Sequence, residues 1–179
     1  MSSSEIPASF SRRVALAGLL GAALLAGGCF RPLYAESTAS SLGGSVRSAL
    51  QAIEFPETKG LISHYLRNEL VFEFDGGNGP DVPKTLRFET ALADSVEVVS
   101  VDYANGRADS AVLNVTATWK VTRIGSGEVV SSGTNSVREP YERSSQRFAV
   151  IRAARDAQIR AAKNLAGMIR AQIAADLTR

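Results

Sequence analysis

Hydrophobic side chains alternate most regularly between Leu113 and Val121. Leu113, Val115, Ala117, Trp119 and Val121 take the odd positions, and Asn114, Thr116, Thr118, Lys120 and Thr122 the even ones. This is the period-two pattern of a strand with one dry face and one wet face. Residues 85–101 are also strand-like, with a phase shift near Ala93–Ser95 that predicts a bulge. Asn105-Gly106 between the two runs is a hairpin turn signal. Gly125-Ser126-Gly127 predicts a second turn, into a polar strand over 128–138, and Pro140-Tyr141 opens a loop. Upstream, 46–55 reads as a first strand, with Val46, Ser48, Leu50 and Ala52 on one face and Pro56 ending it.

Two stretches have helical spacing instead. Over 57–74, Leu61, Ile62, Tyr65, Leu66, Leu70 and Phe74 recur at steps of three and four, and Thr58 is the candidate N-cap. Over 147–178, after candidate caps Ser144 and Ser145, the apolar stripe is Phe148, Ile151, Ala154, Ala162, Leu165, Ile169, Ile173 and Leu177. Such a helix extends about 48 Å at ~1.5 Å per residue. Its basic residues read as a solvated face. The order β-α-β-β-β-α predicts an α+β fold: a four-stranded, mostly antiparallel sheet with two helices packed on one face. The Leu113/Trp119 face packs against the helices, and the Asn114/Thr118 face is polar and open.

The first thirty residues follow another rule. Arg12-Arg13 precede an uncharged apolar run from Val14 to Ala26. A spanning helix needs ~20 apolar residues, so this run reads as the core of an export signal. Ser11-Arg12-Arg13 fits either an ordinary positive segment or a twin-arginine signal. Ala26-Gly27-Gly28 then leads into Cys29, the only cysteine of the chain. Small residues suit a signal peptidase, and a cysteine at the first mature position supplies a thiol for lipid attachment. Ala26 stands three residues before Cys29, where a bacterial lipobox favours Leu; Leu25 is one step further back. Phe30, rather than Asp, follows the cysteine and favours the outer membrane. The predicted organisation is a signal peptide over 1–28, a lipidated Cys29 and tether over 29–44, and a single domain over 45–179.

Composition narrows the chemistry. The net charge is +2, too small to argue for nucleic acid. One Cys and one His make neither an intramolecular disulfide nor a zinc site of the usual kind. His64 has no nucleophile or ligand beside it and reads as a partly exposed helix residue. The glycines over 75–83 lack the Lys-Ser/Thr of a phosphate cradle, so that segment reads as a connector. No catalytic set assembles, which predicts a binding protein with no cofactor and no metal, not an enzyme.

Leu25-Ala-Gly-Gly-Cys29-Phe30-Arg31-Pro32-Leu33-Tyr34-Ala35 resembles the start of the LptE family of lipopolysaccharide-assembly lipoproteins, with Gly28 and Cys29 transposed relative to its pattern. The Phe30–Tyr34 string matches in full, and the downstream order of elements is similar. The resemblance implies the two-helix, four-strand α+β fold. It also implies an outer-membrane lipoprotein, lipid-anchored through Cys29 at the periplasmic face. Such a protein plugs and helps assemble the β-barrel LptD and takes part in inserting lipopolysaccharide into the outer leaflet. Arg107, after the first turn, and Arg138 and Arg143, flanking the loop after the last strand, are the candidates to meet lipid A phosphates. The alternative is an auxiliary periplasmic lipoprotein of an ABC-type transport system, which would share tether and domain. The mature protein recovered from membranes is expected to begin at an acylated Cys29. Mass spectrometry of the N-terminal peptide checks this, and an unmodified thiol would refute the anchor.

Overall fold

The computed structural model describes residues 38–75, 82–102, 107–143 and 145–179, with the backbone alone at 100–102 and 107–108. Cys29, the Phe30–Tyr34 string and Asn105-Gly106 lie outside the described residues. The elements run α1 (Val46–Gln51), β1 (Ile53–Glu54), α2 (Leu61–Asp75), β2 (Leu86–Asp102), β3 (Arg107–Arg123), β4 (Val129–Glu142) and α3 (Arg147–Asp176). The sheet order is β1-β2-β3-β4; β1 is parallel to β2, and the other pairs are antiparallel. The expected α+β architecture, a four-stranded mostly antiparallel sheet with helices against it, is the one observed. Among the described residues no helix is long and apolar enough to cross a membrane.

The expected first strand is mostly helix. Ser45 and Ser48 form a capping box: the Ser48 N–H donates to Ser45 Oγ, and the Ser45 N–H to Ser48 Oγ, both at 3.1 Å. Two orphan donors are satisfied reciprocally, which starts α1 there. Val46 and Leu50 are both buried. They are four apart, a spacing that fits either period, so the cap decides. Only Ile53 and Glu54 remain as strand, opposite Leu86 and Arg87. Before α1, residues 38–44 of the expected tether form a turn docked on the domain, with the Ser41 N–H donating to Leu177 O at 2.7 Å.

Helix α2 begins at Leu61, later than expected, because Gly60 holds φ +97 and so ends the non-helical approach. The His64 N–H bonds Gly60 O at 3.0 Å, so Thr58 is not the cap. Ile62, Leu66, Leu70 and Phe74 are the buried face. The bulge expected at Ala93–Ser95 is absent: pairing with β3 is regular there, and the register shifts instead between Val98 and Val101. What changes near Ala93 is burial, since Ala93 to Val99 are all exposed. Strand β4 runs through Pro140 to Glu142 and no loop opens there. It is the last strand of the sheet, and an edge position tolerates a residue with no N–H.

Helix α3 packs over β4 and α2, and its buried positions are Ala157, Ala161, Ala162, Leu165, Ala166, Ile169, Ile173 and Ala174. The alanines keep this face low, so the axis lies close to the sheet. Phe148 and Ile151, expected in the stripe, are 82% and 56% exposed. The first turns of α3 extend past what the sheet covers. The N-cap position is Gln146, which makes no side-chain cap bond, so Ser145 does not serve.

The core joins sheet to helices through aromatic contacts. Phe55 meets Phe74 at 5.2 Å and Phe88 at 5.3 Å, and Phe88 stacks on Trp119 at 6.1 Å. Trp119 stands opposite Gly133, where an added Cβ would lie 2.9 Å from its ring and 2.7 Å from Gln172. Its Nε1–H donates to Asn135 Oδ1 at 2.7 Å, which satisfies the buried indole. Polar ties pin α3. Glu139 is buried and accepts from Arg160 Nε at 3.0 Å and Asn164 Nδ2 at 2.6 Å. Ser131 Oγ donates to Asp176 at 2.6 Å, and Arg170 reaches Glu73 on α2 at 2.6 Å.

Glu139→Ala removes the buried acceptor shared by Arg160 and Asn164, but both donors reach solvent and Arg160 keeps Asp156 and Pro140 O, so the expected cost is about 1–2 kcal/mol. Urea unfolding measures this, and a loss above about 3 kcal/mol would show that the donors are left unpaired in a dry seam.

Candidate functional site

The alternation on β3 sends every second side chain outward, and its neighbours supply matching rows. Across β2, β3 and β4 the outward rows are Glu89/Lys120/Ser132, Ala91/Thr118/Thr134, Ala93/Thr116/Ser136 and Ser95/Asn114/Arg138. The two middle rows are small and uncharged. Their hydroxyls pair across strands, Thr116 with Ser136 at 2.8 Å and Thr118 with Thr134 at 3.4 Å. Each hydroxyl keeps capacity to donate or accept again. Ion pairs bound this patch at both ends: Lys120–Glu89 at 2.9 Å and Arg138–Glu97 at 3.2 Å. A shallow depression of about 460 Å³, lined by Glu89, Ala91, Thr118, Lys120 and Ser132 among others, lies at the Lys120 end. The charges cancel locally, so the surface is polar and flat without a strong field. It can form many weak hydrogen bonds with a large partner and holds no buried nucleophile.

The three candidate arginines do not form one cluster. Arg138 stands on the outward face opposite Asn114, and Glu97 already engages its guanidinium. Arg143 follows the end of β4, and its N–H donates to Asp109 O at 2.7 Å. Arg107 opens β3 two residues before Asp109, opposite Asp102, so its backbone belongs to the same end as Arg143. Arg138 is five residues back along the chain from Arg143, ~17 Å at the usual strand rise. The Arg143 end also holds a feature that the sequence pattern hid. Arg147, Phe148, Ile151 and Arg152 on the overhanging start of α3 are all exposed, which puts basic and apolar groups together. Their helical spacing was legible, but only the end of the sheet shows that nothing covers them.

His64 is exposed and its Nε2 lies 3.1 Å from Asn68 Nδ2. Among the described residues no three of His, Cys, Asp or Glu are grouped as metal ligands would be.

The fold has counterparts among solved structures. A presumed lipoprotein from Caulobacter crescentus CB15 superposes with a TM-score of 0.60 at 24% identity, over 74% of this chain and 95% of that one. A minor lipoprotein from Acinetobacter baumannii aligns with a TM-score of 0.48 at 17% identity, over 69% and 89%. The rare lipoprotein B from Shewanella oneidensis aligns with a TM-score of 0.45 at 13% identity, over 66% and 92%. No family model matches the chain, and no curated protein matches it. The small α+β domain therefore shares its architecture with the Caulobacter protein, and that likeness concerns the fold.

Both partners of the Arg138–Glu97 pair are more than half exposed, at 67% and 60%. Arg138→Ala is expected to change unfolding free energy by no more than about 1 kcal/mol. Chemical denaturation checks this, and a loss above about 2 kcal/mol would make the pair a structural tie rather than a boundary of the patch.

Proposed function

We propose that this chain is an outer-membrane lipoprotein of the LptE type, anchored through Cys29 and working by binding rather than catalysis. In this reading residues 1–28 are the cleaved export signal, and the outward sheet face nests against the inner wall of the β-barrel LptD. The observation that carries it is the Thr116/Ser136 and Thr118/Thr134 patch, uncharged and closed at both ends by ion pairs. The lumen of an outer-membrane barrel is polar, and a hydroxyl surface meets such a wall without burying an unpaired charge. The Phe30–Tyr34 string supports the same family, and the Caulobacter protein of like fold is itself described as a lipoprotein.

Lipopolysaccharide is the proposed cargo. Its lipid A presents phosphates beside acyl chains. Arg107 and Arg143 share one end of the domain, where exposed Phe148 and Ile151 accompany Arg147. Arg138 would contribute by exchanging Glu97 for phosphate. The transport-system alternative would use the same face on an inner-membrane complex and has no separate observation in its favour.

Full-length protein carrying a C-terminal tag, isolated from detergent-solubilised envelopes of cells that produce it, is expected to bring down LptD. Depletion is expected to reduce folded LptD and surface lipopolysaccharide. Unchanged barrel assembly after depletion, or an inner-membrane complex as the dominant partner, would overturn the reading. Reversing Arg107, Arg138 and Arg143 together to Glu is expected to weaken lipopolysaccharide binding at least about tenfold, since each charge-assisted bond contributes roughly 1.5–3 kcal/mol. Unchanged binding would remove them as contacts.

A further inference from the structure

Helix α3 starts beyond the sheet, and its first turns combine two kinds of exposed side chain. Phe148 and Ile151 stand bare there, and Ile159 further along is 39% exposed. Arg147, Arg152 and Lys163 are exposed beside them. At ~100° per residue these six fall within one arc of about 160° around the helix. Helix α2 runs in the same direction as α3, since Tyr65 meets Arg155 and Glu73 meets Arg170. The exposed Leu61 at the start of α2 therefore lies toward the same end.

The cations of this face are not neutralised within the domain. Among the described residues Lys120, Arg138, Arg160 and Arg170 each meet a carboxylate, while Arg147, Arg152 and Lys163 meet none. Asp156 is the one acidic residue over 147–163, and Arg160 already takes it. Two other carboxylates belong to this end of the domain. Glu142 stands in the outward sheet row opposite Ser110, and Asp109 lies beside Arg143, whose N–H its carbonyl accepts. Unneutralised cations set among protruding apolar groups call for an occupant that is anionic and apolar at once.

We propose that this face of α3 docks on an anionic phospholipid surface, with Phe148 and Ile151 entering the interface and Arg147, Arg152 and Lys163 meeting headgroup phosphates. Helices with basic residues flanking bulky apolar ones lie in a bilayer interface in this way, their apolar groups ~5–10 Å into the headgroup boundary. Each cation near such a surface adds to the attraction, and long basic side chains reach up to the phosphates from beside the apolar stripe. Phe148 decides between a lipid surface and an acidic protein. It protrudes, 82% exposed, from an overhanging turn. A folded partner would need a fitted hole for it, whereas fluid acyl chains part to admit it. The face is a different surface from the Thr116/Thr118 patch, and although it shares Phe148 and Ile151 with the proposed cargo end it needs neither LptD nor lipopolysaccharide.

The test reconstitutes the protein isolated from detergent-solubilised envelopes into vesicles whose acyl chains carry bromine, which quenches an indole on contact. One set is phosphatidylcholine alone, and the other is phosphatidylcholine and phosphatidylglycerol in equal parts. Phe148→Trp is expected to lose fluorescence on the second set and keep it on the first, while the buried native Trp119 serves as the blank. Salt at about 1 M, where the screening length is ~3 Å, is expected to restore the signal. Arg147 and Arg152 make no hydrogen bond or ion pair among the described residues, so reversing both to Glu leaves the melting curve unaltered. That double reversal is expected to lower the docked-to-free ratio read from the quenching at least about tenfold. The proposal is overturned by full fluorescence on the anionic set, by equal quenching on both sets, or by quenching that the double reversal leaves unchanged. The vesicles contain neither LptD nor lipopolysaccharide, so its failure is separate from a failure of the barrel reading.

Discussion

Helix α3 must lie almost on the sheet, and the rest of the domain is arranged to allow it. Ala157, Ala161, Ala162, Ala166 and Ala174 keep its buried face shallow. Gly133 keeps β4 low where Trp119 and Gln172 pass over it. Polar groups that this packing buries need a partner. Glu139 finds Arg160 and Asn164, Ser131 finds Asp176, and the Trp119 indole finds Asn135. Arg160 also donates to Pro140 O at 2.8 Å and pairs with Asp156, tying the same turn of helix to the edge strand.

That one-sided packing determines what remains for function. On β3 Leu113, Val115, Trp119 and Val121 go inward, so its outer row is left with Val112, Asn114, Thr116, Thr118 and Lys120. The overhanging start of α3 and the unpaired length of β2 are further consequences. Helix α2, with 15 residues, and a two-residue β1 cannot cover a β2 of 17 residues. The domain therefore offers a wet face, a basic-apolar end and an open strand edge, three surfaces of different chemistry.

The alternation from Leu113 to Val121 was legible in the sequence because period two is a local property that packing then obeys. The hydroxyl patch follows from the same rows. Val46 and Leu50 were ambiguous because a spacing of four satisfies both periods, and the Ser45/Ser48 box resolved it toward helix. Pro140 reads as a breaker in isolation, yet β4 is an edge and absorbs it. Phe148 and Ile151 continue the stripe of α3 perfectly well; that they are bare depends on where the sheet ends, which no short window contains. Arg138 shows the limit for the candidate site. Its pairing with Glu97 spans 41 residues, and only the strand register brings the two together.

The bond from Ser41 to Leu177 has a mechanical consequence. It places the point where the described chain enters the domain beside the point where it ends, at the foot of β3 and β4 where Asp176 meets Ser131. Arg107 and Arg143 are at the opposite extremity, a strand of 17 residues away, roughly 50 Å at the usual rise. The sheet thus works as a rigid spar. Two partners engaged at these two extremities would stand one full strand length apart.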